Sequence, residues 1–156
     1  MTSKTLKRYR KKKIKHERKT RNTRNNRSIE NATKSHIVKI FIEILNTVKL
    51  YHWKTKSFAQ HKATDELYTK LNEHIDSFIE VLLGKDESRI HLLERRIELL
   101  DSSNVLEFKH RIYEYRDFLR SMNVIFDESR DSDLLNIRDE LLGDINQFLY
   151  LLTFDK

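Results

Sequence analysis

The sequence predicts an all-α fold: a four-helix bundle with a short extra helix between the second and third long helices, behind a disordered basic N-terminal tail. Three observations predict it. There is no proline, and only Gly84 and Gly143 interrupt a chain rich in Leu, Ile, Glu, Lys and Arg, so little breaks helices or builds tight hairpins. Apolar residues recur at steps of three and four along four long stretches. The net charge of +7 divides into a polycationic start and a mildly acidic remainder. The 156 residues suit one compact domain with a real core.

Residues 1–35 hold 14 Lys or Arg against Glu17 and Glu30, a net +12, while the other 17 basic and 22 acidic residues give −5. The cationic run comprises Lys4, Lys7, Arg8, Arg10, Lys11, Lys12, Lys13, Lys15, Arg18, Lys19, Arg21, Arg24 and Arg27, followed by Lys34. Such a segment repels itself and has too few apolar side chains to offset the entropy of ordering, so it is expected to be disordered when free. It suits DNA or RNA, bound through phosphates without sequence readout. Tyr9 is its one aromatic, so base stacking is not the mode. A nuclear-targeting signal or an anionic lipid surface would accept the same charges.

The helical domain is expected over 36–156. Ile37, Ile40, Phe41, Ile44, Leu45 and Val48 form the stripe of a first helix from about Ser35 to Lys56, and His52 continues it. A second helix spans Phe58 to Leu83 on Leu71, Ile75, Phe78, Ile79 and Leu82, with Gly84 as its C-terminal cap. Ile90, Leu93, Ile97 and Leu100 predict the short helix between Asp86 and Asp101. Asn104 and Glu107 have capping-box spacing ahead of Phe108, Ile112, Tyr115, Leu119 and Met122. The last helix starts near Ser132 and carries Leu134, Ile137, Leu141, Ile145, Phe148 and Leu152.

Cysteine is absent, which excludes disulfides and thiolate metal sites. No apolar run approaches the roughly 20 residues of a membrane span, and the N-terminus has no signal-peptide pattern. The expectation is an intracellular protein, cytoplasmic or associated with a nucleoid or virion, and not secreted. Phosphate-binding glycine loops, zinc-finger spacing and a nucleophile elbow are all missing.

Five potential metal ligands, His52, His61, Asp65, Asp76 and Glu80, lie in or beside the second helix. Residues four apart share a helix face, so Asp65 sits beside His61 and Glu80 beside Asp76. The two pairs are about 16 Å apart along the axis, too far for one ion whose ligands lie about 2 Å away. Two copies packed antiparallel across a two-fold axis would bring the His61 end of one chain to the Glu80 end of the other, with His52 joining and two equivalent sites per dimer. The donors suit iron, manganese or zinc, and redox use favours iron. Solvated polar residues or hydrogen-bonded core histidines would leave the same pattern.

The stretch from Tyr51 to Gly84 resembles the Dps-like miniferritins. The family pairs His-Trp at the end of its first helix with His-x3-Asp and Asp-x3-Glu on its second, matched here by His52-Trp53, His61-x3-Asp65 and Asp76-x3-Glu80. The eleven-residue step from Asp65 to Asp76 is also preserved, and the final helix looks similar. The resemblance implies a ferritin-like bundle in an oligomeric cage, with His52, His61 and Asp65 of one subunit and Asp76 and Glu80 of its neighbour forming a ferroxidase centre. Ferrous iron is there oxidised by peroxide or oxygen and stored as ferric mineral. A basic tail with a shortened motif also resembles ferritin-like proteins of unassigned function from large DNA viruses. The nine residues from His52 to His61, without glycine, make a shorter connection than the family's, so the place of His61 and the start of the second helix are at issue.

Trp53 and Tyr68 are candidates to line that centre, with core packing as the alternative for each. Glu107 and His110 form a single Glu-x2-His, where a di-iron bundle needs two, so a surface pair is expected. His74 and His91 read as solvent-facing or helix-packing residues. A non-enzymatic helical scaffold associated with nucleic acid is the alternative to the iron-oxidising function.

Overall fold

The computed structural model describes residues 31–94, 96–97 and 99–154. Among them are four α-helices, one 3-10 turn and no strand. We label the helices α1 (31–54), α2 (Phe58–Gly84), α3 (Val105–Ser121) and α4 (Ser132–Leu151); the 3-10 turn is Met122–Val124. Thirty of the 35 residues assigned to the tail lie outside the described residues. The other five are helical, because Lys34 binds Asp86 and Ser88 and the Ser35 hydroxyl accepts from the Leu93 amide. Tertiary partners thus move the start of the fold ahead of the composition boundary.

The predicted stripes of all four helices meet in one core, with Phe41, Ile44, Leu71, Phe78, Phe108, Ile112, Leu141 and Ile145 nearly inaccessible to solvent. Phe41 meets Phe78 edge-on at 5.3 Å, and Tyr51 stacks on Phe108 at 3.9 Å. Asn104 caps α3 by accepting from the Leu106 and Glu107 amides, and Glu107 reaches back to the Ser103 amide and hydroxyl.

Inter-helix contacts fix the directions. Phe41 against Phe78 and His52 against His61 set α1 and α2 antiparallel, while Tyr51 on Phe108 and Phe41 near Phe118 do the same for α1 and α3. His74 to Asp144 at 2.8 Å and Lys70 to Gln147 at 2.9 Å place α4 antiparallel to α2. Arg138 donates to the Leu119 carbonyl and Phe108 meets Phe148, so α4 also opposes α3. The order is up, down, down, up. One long crossover, residues 85–104, therefore runs the length of the molecule between α2 and α3.

That crossover corrects one expectation: its described residues between Arg89 and Asn104 form no helix. Glu94 pairs with Lys39 and Asp101 with Lys54, so seven residues of crossover keep pace with fifteen of α1. Fifteen helical residues rise about 22 Å, whereas seven would climb only about 10 Å as a helix, and even long lysine side chains do not close that difference. The amphipathic pattern is present and the distance overrules it. The helix end also differs: Gly84 remains helical, and Glu87, at φ 54°, takes the left-handed position while the Ser88 amide bonds the Leu83 carbonyl at 3.1 Å.

Candidate metal centre

The turn between α1 and α2 is only residues 55–57, and Ser57 closes it by capping α2 at the Gln60 amide. This short link does not push His61 aside. It sets the two imidazole rings face to face, with centroids 3.9 Å apart and planes 23° from parallel. His52 Nδ1 contacts the His61 carbonyl at 3.0 Å and the Thr64 hydroxyl at 3.2 Å, and His61 Nδ1 contacts the His52 carbonyl at 3.0 Å. A carbonyl only accepts, so each Nδ1 must carry the proton. In the neutral rings Nε2 then holds the lone pair, the state in which imidazole binds metals.

Thr64 is the residue that sequence reasoning missed. It occupies a core position of α2, in register with Leu67, Leu71, Ile75, Phe78 and Leu82, and is fully buried. Its hydroxyl bonds the Gln60 and His61 carbonyls as well as meeting His52. A threonine interrupting an apolar stripe one turn after a histidine was the available signal.

The carboxylates lie elsewhere. Asp65, Asp76 and Glu80 are exposed on the outer side of α2, and none has a side-chain ion pair or hydrogen bond among the described residues. Most other acids are engaged: Glu66 with Lys70, Asp86 with Lys34, Asp144 with His74, and Asp131 and Asp133 with Lys85. Among the described residues no group of three or more His, Asp or Glu side chains converges to hold a metal. A single chain therefore brings together the two histidines and leaves the acids apart.

The flanking aromatics are corrected or refined. Trp53 is 67% exposed, which rules out core packing within the chain, and Lys49 Nζ lies 5.7 Å from its ring centre. Tyr68 packs partly against the core, with the same ammonium 4.7 Å over its ring. Glu107 serves the α3 cap rather than His110, which pairs with Glu114 at 3.3 Å. His74 links α2 to α4 through Asp144, and His91 is exposed.

A family model described as DUF5856, a family of unknown function, matches residues 52–152. The chain belongs to that family. The match takes in all five candidate ligands and runs from the last turn of α1 to the end of α4. No curated protein and no solved structure matches the chain. No helix among the described residues is long and apolar enough to cross a membrane.

Proposed function

We propose that the chain is a ferritin-like, Dps-like miniferritin that takes ferrous iron as substrate at sites shared between two copies. The observation that carries this reading is the His52–His61 pair. Both Nδ1 protons are committed to main-chain carbonyls, so the rings are oriented and held in the ligand tautomer. The up, down, down, up order with one long crossover supports the ferritin-like part, since such folds have a single crossover of that kind.

The unpartnered acids support the shared site. A two-fold contact along α2 sets one copy's Asp65 against the other's Asp76 and Glu80, and like charges meeting at an interface repel unless cations lie between them. Ferrous ions supply those cations; zinc and manganese suit the same donors. Val38 and Leu45, at seven-residue steps before His52 on α1, are half-buried and give this face apolar contact area. The carboxylates favour the ferric product, and peroxide balances the step by accepting one electron from each of two ferrous ions and two protons to leave water.

Anaerobic ferrous titration followed by a peroxide pulse tests the reading. Wild type should develop a ferric absorbance, and Asp76→Ala and Glu80→Ala should each slow it at least tenfold. Equal rates in all three would end the enzymatic claim and favour the scaffold reading, in which the stacked, hydrogen-bonded histidines only clasp α1 to α2. The basic residues before Asn31 are assigned to non-specific nucleic-acid binding. Removing residues 1–30 should abolish duplex DNA binding, and wild-type affinity should fall steeply with salt. Retention of binding by the truncated chain would contradict this.

A further inference from the structure

The four large aromatics exposed among the described residues, Trp53, Phe58, Tyr150 and Phe154, all stand at one end of the molecule, where α1 and α4 finish and α2 begins. Beside them an open groove of about 680 Å³ lies between α2 and the end of α4, lined by Ala59 and Ala63 on one side and Leu151, Leu152 and Phe154 on the other. Tyr150 and Phe154 meet edge-on at 5.0 Å, and Phe58 immediately precedes Ala59. This groove is on the side of α2 turned to α4, marked by the Lys70–Gln147 and His74–Asp144 contacts, and not on the α1 side.

We infer that this groove and its rings bind a second copy of the chain, ring into groove, in a contact centred on the α4 side of α2 that meets the candidate metal face only at Asp65 on the groove rim. Three features select that occupant. Projecting rings and a recess lined by small alanines lie on one patch, which is what a self-complementary two-fold contact requires. The charged groups of the groove balance, Lys62 and Lys70 against Asp65 and Glu66, and Lys70 already pairs with Glu66 at 2.9 Å. Such a rim offers no net field to a polyanion or an anionic bilayer. Finally, Phe58, Tyr150 and Phe154 are 76, 62 and 66% exposed. Rings of roughly 200 Å² from two copies supply about 800 Å² of contact, which the groove walls extend to the low end of specific interfaces. The association is therefore weak and concentration-dependent, and it does not depend on iron.

Sedimentation velocity on the full chain from roughly 1 to 100 µM, the range suited to an interface of this size, tests the inference. Wild type should show an association step whose midpoint moves at least tenfold higher in the Phe58→Ser/Phe154→Ser variant. Asp76→Ala/Glu80→Ala should keep the step. Both rings are solvent-exposed, so the serine variant retains its core. The chain has no cysteine. Phe58→Cys copies mixed with Phe154→Cys copies should therefore be joined by a short bis-maleimide, while Glu140→Cys on the outer side of α4 should not. An unchanged midpoint, a wild type without the step, no Phe58–Phe154 cross-link, or rings that engage phosphatidylserine vesicles instead of another copy would each overturn it.

Discussion

Two imidazoles pressed face to face are oriented here by main-chain acceptors, with Thr64 supplying a further contact from the core side. His52 was legible as the continuation of the α1 stripe, four residues after Val48. Trp53 was less so: adjacent helical residues diverge by about 100°, so burying His52 turns its neighbour outward. Asp86 carries a pH prediction at this scale. The bond from the Lys34 ammonium, helped by Ser88, lowers its carboxyl to about 2 from an ordinary 3.8. A depressed folded value stabilises above the unfolded one, so the contribution is complete above pH 4 and is lost as pH falls from about 4 towards 2. Because the side chain is 39% exposed, screening limits the gain to at most about 1 kcal/mol. Urea midpoints measured across that window should fall less steeply for Asp86→Asn than for wild type; parallel curves would contradict the assignment.

Helix stripes and the Asn104 cap were legible because each is fixed by residues within a few turns. The crossover was not. Its Ile90, Leu93, Ile97 and Leu100 spacing is a helix signal, but Lys39–Glu94 and Lys54–Asp101 hold Glu94 and Asp101 far apart along α1, a constraint set by partners far away in sequence. The end of α2 was misplaced for a related reason. Lys85 is held by Asp131 and Asp133 and Asp86 by Lys34, so the left-handed position falls on Glu87 rather than Gly84. A side chain there costs about 1–2 kcal/mol, partly offset by glycine's larger unfolded entropy. Glu87→Gly should therefore raise stability by about 0.5–1 kcal/mol in urea unfolding, and a loss would show that Glu87 makes a compensating contact.

Helix order and ligand placement limit what one copy of the chain can do. One end of α2 carries His61 and Asp65, the other Asp76 and Glu80, and about 16 Å of helix separates them. That separation was readable from spacing, and it is what motivates the proposal of a site completed by a second chain. What spacing left open was whether the nine-residue link would keep His52 with His61, because the answer rests on the Ser57 cap, the Thr64 hydroxyl and two carbonyls. The contact proposed at the aromatic end would add a second surface to the proposed two-fold one, and together they would allow assemblies larger than a pair.

Complementation between half-sites tests the central claim most directly. Chains carrying His61→Ala/Asp65→Ala and chains carrying Asp76→Ala/Glu80→Ala should each fail to oxidise ferrous iron alone. Co-refolded in equal amounts, they should recover about a quarter of wild-type oxidation, because half the pairs are mixed and each mixed pair regains one of two sites. No recovery despite demonstrated mixed pairs, or full activity in either variant alone, would contradict a centre built from two chains.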